Sequence, residues 1–265
     1  MVIDFHTHCF PEKIAAKAMA QLSACSGELE AFHAGSELDL LRAVRSMGAQ
    51  YAVVLNIATN PRQQKSVNDY AMAIDALEGL VAFGSVHPDS PDALDELERL
   101  ARAGIKGIKL HPDYQHFFVD DERVFPLYEK AAELGLITVF HAGYDIGLPD
   151  PLHCSARALA RALPAFNGGK VVAAHMGGYM QWLEALEHLA GLDIYFDTSY
   201  SYSRLPAPWA KRIIEKHSAA RILFGSDMPW SPTDKEIGYI KCLALPAEDE
   251  AAILGGNAAK LLGIA

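Results

Sequence analysis

The stretch LVAFGSVHPDSPDALDELERLARAGIKGIKLHP (residues 80–112) reads as a strand, a helix and a second strand in direct succession. Residues 80–86 and 107–110 are short apolar runs. Between them Ser90 offers an N-cap oxygen and Pro91 suits the first helical position. Leu94, Leu97 and Leu100 recur at helical spacing as one apolar face, and Gly104 suits a left-handed stop. A strand, a crossover helix and a strand make up the βαβ unit of a parallel sheet. The acidic run from Asp89 to Glu98 is the wet face of that helix and its positive dipole end.

The same grammar runs outward in both directions. Further strands are expected at residues 2–5, 51–56, 136–140, 170–174, 193–196 and 222–224, which makes eight in all. In GSELDLLRAVRSMG, Ser36 is the expected cap, Leu38, Leu41 and Val44 the buried stripe, and Gly48 the stop. DDERVFPLYEKAAELG and PAEDEAAILGGNAAKLLG repeat the logic, with Pro126 and the Gly255–Gly256 pair as expected interruptions. No linker or shift of composition divides residues 1–265, so one domain is expected. Eight strands, each followed by a helix, in 265 residues fit an α/β fold of the (β/α)8 TIM-barrel type better than an open doubly wound sheet.

Composition narrows the function. Hydrophobic residues are 51% and charged residues 21%, enough apolar side chain for a large core and against disorder. Lys and Arg number 23 against 33 Asp and Glu, a net charge of -10 that repels nucleic acid, and no Lys/Arg cluster stands out. The start MVIDFHTHCF lacks the features of a secretory signal, and uncharged apolar stretches such as residues 51–57 fall short of the ~20 residues of a membrane span. Cys9, Cys25, Cys154 and Cys242 lie far apart. Neither a disulfide framework nor a cysteine metal site is indicated, and a soluble, cytoplasmic protein with a small-molecule substrate is expected.

A barrel of this kind does its chemistry at the C-terminal ends of its strands. There the sequence places His6 and His8 (DFHTHCF), His141 (ITVFHAGYD), His175 (VVAAHMGGY) and Asp227 (RILFGSDMPW). Residues i and i+2 of a strand share a face, so His6 and His8 point into one mouth. Each alone is weak evidence. Together they are hard to attribute to packing, because buried imidazoles and a buried carboxylate need a partner or a cation, and a divalent metal site follows. Neutral imidazole and carboxylate suit Zn2+ or Mn2+, with a position left for a water whose pKa falls to about 7. Asp227 can then take and return a proton, and His175 can orient the water or polarise a substrate oxygen.

Taken together, DFHTH, GIKLHP, HAG, HMGG, FGSDMPW and NAAKLLG resemble the amidohydrolase superfamily, particularly the amidohydrolase-related branch that includes aminocarboxymuconate semialdehyde decarboxylase. The resemblance spans nearly the whole chain. It implies a distorted TIM barrel whose metal, often zinc, is held by His6, His8, His141 and Asp227. His175 would assist the metal-bound water or substrate, or ligate a second ion. Lys109 faces inward with His111 on strand four. It would either be carboxylated and bridge two metals, or remain a cation for a substrate carboxylate, and one ion is preferred over two. A homodimer is an expectation by analogy alone.

Tyr114, His116, Tyr144, Tyr200, Tyr202, Arg204 and Trp230 follow strand ends and are candidates for the pocket wall, with His111, Tyr144, Arg204 and Trp230 chosen as substrate-binding. His87 stands between a substrate-facing residue and a simple turn, and Asp197 between support for a histidine and support for a loop. His33, His153, His188, His217, Met176 and Met228 are expected to pack or face solvent. Two reactions fit the catalytic set Asp227, His175 and Lys109: hydrolysis of a C–N or C–O bond by metal-activated water as the first reading, and non-oxidative decarboxylation as the alternative. A TatD-like nuclease, which also opens with HxH, would show a fourth-strand glutamate where this chain has KGIKLHP.

Overall fold

The computed structural model describes every residue except Glu28, Pro149 and Ala265. Eight parallel strands follow one another: β1 (Ile3–Thr7), β2 (Tyr51–Leu55), β3 (Leu80–Phe83), β4 (Gly107–Leu110), β5 (Ile137–Phe140), β6 (Val171–Ala173), β7 (Tyr195–Asp197) and β8 (Ile222–Leu223). All eight expected strands are present. They pair in sequence order as β1-β2-β3 and β4-β5-β6-β7-β8. Backbone hydrogen bonds join the two sheets at both edges. Lys109 N–H donates to the Gly84 carbonyl (2.8 Å), and on the far side Phe5 N–H donates to Phe224 O (2.7 Å) and Asp227 N–H to His6 O (2.8 Å). The ring so closed is a distorted α/β TIM barrel.

Helices α1 (Glu12–Cys25), α2 (Glu37–Ser46), α3 (Gln64–Ile74) and α4 (Ala93–Arg102) return the chain between the early strands. Later strands are served by α5 (Phe125–Glu133), α6 (Ala156–Ala162), α7 (Trp182–His188), α8 (Ala207–His217) and α9 (Thr233–Cys242), and α10 (Asn257–Leu262) closes the chain. No helix among the described residues is long and apolar enough to cross a membrane.

The barrel interior is an apolar layer of Phe5, Val53, Phe83, Val139, Val172 and Leu223, plugged from below by Leu261 and Leu262 of α10. Strand alternation sends the intervening residues outward. Ala52 and Val54 meet α2 and α3, whereas Ile108, Leu110 and Ala173 meet the later helices. The polar side chains of the mouth stand above this interior layer, at the strands' C-terminal ends.

Several helix details differ from expectation. Ser36 does cap α2, accepting from Asp39 N–H at 3.3 Å, but Leu38 is exposed and Leu40 takes its place in the core. α4 begins at Ala93 rather than beside Ser90, whose hydroxyl donates to Asp92 instead (2.6 Å). Leu94 is likewise exposed while Leu97 and Leu100 are fully buried. In both helices the first residue of the counted stripe faces solvent, and the buried leucines begin two or three residues later. Pro126 does not interrupt α5 but occupies its first turn, where no donor is lost. Gly255–Gly256 lies in one π-helical turn (Ala252–Gly256) that runs into α10. There a Cβ on Gly255 would sit 2.5 Å from the Met1 carbonyl.

Candidate active site

Two backbone irregularities turn side chains into the mouth that alternation alone would not. Between Asp4 and Thr7 the register of β1 against β2 slips by one residue, because Asp4 pairs with Ala52 and Thr7 with Val54. This bulge lets Phe5 remain in the interior layer while its neighbour His6 also faces the mouth. His175 has a left-handed backbone (φ 59°), as does Asp227 (φ 73°). Such conformations are costly for side-chain-bearing residues and concentrate where function demands them. Gly225 keeps the approach open, since a Cβ there would stand 2.8 Å from His6 Cβ.

His6, His8 and Asp227 converge. Asp227 Oδ1 lies 3.4 Å from His6 Nε2 and 3.2 Å from His8 Nε2. These are the separations of neighbouring ligands on a cation with bonds of about 2.1 Å. The tautomers agree. His8 Nδ1 lies 3.0 Å from the Leu55 carbonyl, which can only accept, so Nδ1 carries the proton. His6 Nδ1–H donates to Asp197 Oδ2 at 2.8 Å. Both Nε2 lone pairs are thereby turned on Asp227's oxygen, and the donor set fits a divalent metal.

Electrostatics keep the donors in the right form. Burial, reinforced by the Lys109 charge, lowers the His6 pKa to about 3 against the pull of Asp197, so its imidazole is neutral. Burial would raise both carboxylates, but His6 holds Asp197, and the His8 bond with His6 and His175 holds Asp227, below the usual carboxylate range. Lys109 is 1% exposed, with Nζ 3.4 Å from His6 Nε2. Burial brings its pKa down to about 8 against the opposing charges of Asp197 and Asp227.

His141 stands outside the group of three. Its Nε2–H donates to the Tyr144 carbonyl (3.2 Å), which leaves the Nδ1 lone pair facing His175 Nε2 at 3.1 Å. The His175 ring in turn lies 5.2 Å from that of His6. Burial pushes the His141 pKa well down. Ser199 ties the floor together, with its hydroxyl 3.0 Å from His6 Nδ1 and 2.9 Å from His175 Nδ1.

A second group, His111, His141 and Asp145, differs in kind. The rings of His111 and His141 stack at 4.1 Å and 9°, so their in-plane lone pairs run parallel and do not meet at one point. His111 also spends both nitrogens, accepting from Tyr114 N–H (3.4 Å) and donating to Asp145 Oδ2 (3.3 Å). This group is built as wall.

His6, His8, Lys109, His111, His141, Asp145, His175 and Asp227 line one cavity of about 860 Å³, within the range of small-molecule sites, with Asp197 and Ser199 behind them. Tyr114, Tyr144, Tyr200 and Trp230 line it as expected. Arg204 does not: it is exposed, with its guanidinium 5.3 Å over the Tyr200 ring. His116 and Tyr202 are also off the wall. His87 makes a turn, its Nδ1 accepting from Asp89 N–H (3.1 Å). His153 pairs with Asp113, His188 with Glu184, and His217 stacks on Phe196. Asp145, Ser199 and the inner face of α1 were not anticipated. Position alone marks them, since Asp145 follows His141 by four residues and α1 follows directly on the first strand.

Comparison with known proteins adds the lineage. The 5-carboxyvanillate decarboxylase of Sphingomonas paucimobilis superposes with a TM-score of 0.73 at 15% identity, covering 100% of this chain and 99% of that one. A dihydroxybenzoic acid decarboxylase of Polaromonas with bound manganese and 2-nitroresorcinol gives 0.70 at 15%, covering 99% and 97%. An uncharacterized TIM-barrel protein of Bordetella bronchiseptica gives 0.76 at 20%, covering 99% and 98%. No curated protein sequence matches significantly. The model of the Amidohydrolase family matches residues 3–264. With that match over an eight-stranded barrel whose rim gathers His6, His8, His175 and Asp227, the chain is an enzyme belonging to the amidohydrolase family.

Proposed function

We propose that this enzyme is a metal-dependent, non-oxidative decarboxylase of a small carboxylic acid, in preference to a hydrolase. The observation that carries the reading is Lys109, a cation buried at the cavity floor beside His6. An enclosed ammonium in an otherwise largely apolar chamber is a seat for a carboxylate. The likeness to decarboxylases that act on carboxylated and hydroxylated rings lends support at the level of fold.

His6, His8 and Asp227, with His141 through its Nδ1 lone pair, would hold one divalent ion, zinc or manganese, which when bound would polarise a substrate oxygen. The chain's own groups do the rest. Lys109 anchors the acid group by charge, and His111 and Tyr144 shape the wall beside it. The bond between the substrate carbon and its carboxylate breaks, CO2 leaves, and the electron pair stays on carbon. His175 Nε2, 3.1 Å from His141 Nδ1, delivers the proton that this carbon takes up. Asp197 and Ser199 hold His6 and His175 in place throughout.

The test is turnover of a panel of hydroxylated aromatic acids by zinc- or manganese-loaded enzyme in D2O. Released CO2 with deuterium at the vacated carbon is the expected result. Uptake of labelled water oxygen into product without CO2, from amide or lactone substrates, would overturn it in favour of hydrolysis.

A further inference from the structure

The outer wall of the cavity carries charge that the proposed chemistry leaves unused. α1 turns Lys13, Lys17 and Gln21 onto the cavity at four-residue spacing, with Ile14 and Leu22 beside them. Both lysines are exposed. The ion pairs of other lysines, Lys65 with Asp69 and Lys130 with Glu98, have no counterpart at Lys13 or Lys17 among the described residues. The two acids of the cavity wall are already engaged, Asp227 with His6 and His8 and Asp145 with His111.

The placement also works against the helix. Like charges four residues apart repel, and Lys13 stands in the first turn, where the helix dipole disfavours a cation. Glu12, also in the first turn, offsets the dipole effect in part, but no acidic residue of α1 stands three or four positions from either lysine. In a chain of net charge -10, a cavity with one lysine on its floor and two on its rim departs from the average field and draws anions inward.

We propose that Lys13 and Lys17 bind a second acidic group of the substrate, distal to the one seated at Lys109, so that the cavity selects a dicarboxylic acid. Leu55, Ile57 and Val67 flank the space between floor and rim and would pack the carbon frame. This rests on the reading above that a carboxylate sits at Lys109.

Calorimetric titration of zinc-loaded protein with benzoate, isophthalate, terephthalate, hexanoate and adipate tests it. Wild type is expected to bind at least one diacid about 5- to 20-fold more tightly than its monoacid partner, with a preference that shrinks as salt rises. In K13Q/K17Q the diacid should fall to the monoacid level with monoacid affinity unchanged, and K13R/K17R should keep the preference. An equal preference in wild type and K13Q/K17Q, or a wild type that shows none or binds no acid, overturns the proposal. Failure of the decarboxylase reading looks different, because the lysine-dependent preference would stand while no bound acid releases CO2.

Discussion

Replacing Asp197 with Asn tests how the candidate metal centre is held together. Asp197 Oδ2 accepts from His6 Nδ1–H at 2.8 Å, while Oδ1 accepts from the backbone N–H groups of His175 and Ser199, each at 3.0 Å. Asparagine is nearly isosteric and can keep its oxygen on the two backbone donors. Its amino group then faces His6 Nδ1 as a donor where an acceptor stood. To avoid that clash His6 must move its proton to Nε2, which blocks the lone pair aimed at Asp227 Oδ1 only 3.4 Å away. Loss of such an outer hydrogen bond costs about 10- to 100-fold in metal affinity, or ~1.4–2.7 kcal/mol. Asp197 is also the leading charge that opposes the burial of Lys109. The variant should therefore lower the lysine's pKa below about 8. The assay is competition between protein and a chelator for zinc and for manganese, with near-UV circular dichroism as the check of fold. Zinc and manganese affinities within 2-fold of wild type in a folded D197N would refute the argument that this carboxylate sets the His6 tautomer.

Asp227→Asn removes the negative charge that faces His6 and His8. It should lower turnover by about 100-fold or more with little change in melting temperature, and an active variant would reject the site. Glu236 is fully buried between Ser231 Oγ–H and Tyr202 N–H, and burial raises its pKa from 4.5 to about 8. The folded state thus binds the proton more tightly than the unfolded state. Its contribution is fully present below pH 4.5 and is lost as pH rises through about 8. The unfolding free energy of wild type, from urea titrations, should fall over that window by up to about 5 kcal/mol, and E236Q should be flat. Gly143→Ala places a Cβ 2.2 Å from Tyr179 N at a φ of +82°. It should destabilise by about 2 kcal/mol or more and weaken ligand binding at the neighbouring Tyr144, as read by thermal melts and titration.

Much of the fold was legible because strand and helix leave different periods in the chain. The βαβ pattern of residues 80–112 recurs around the barrel, and all eight strands lie where short apolar runs stand. Errors fell at helix starts. Ser90 and Asp92 compete for one role, and Leu38 and Leu94 satisfy a spacing rule without meeting a partner. Pocket walls were less legible, because a loop residue's place depends on what packs behind it. Arg204 was expected on the wall and instead stands over Tyr200 without lining the cavity, whereas Lys13 and Lys17, which formed no cluster in the sequence, come together with Lys109 around one cavity.

By itself the sequence determined that this is a closed parallel barrel and that imidazoles and an acid sit at its strand ends, since periodicity and strand termini are local properties. Tertiary structure decided which of them meet. Simple alternation would have put His6 on the opposite side of β1 from Phe5, and only the bulge between Asp4 and Thr7 brings it to Asp227. The pairing of His6 with Asp197, 191 residues apart, likewise has no local signature. Such contacts are made by closure of the ring, where β7 and β8 come round to β1, and closure is a property of the whole chain.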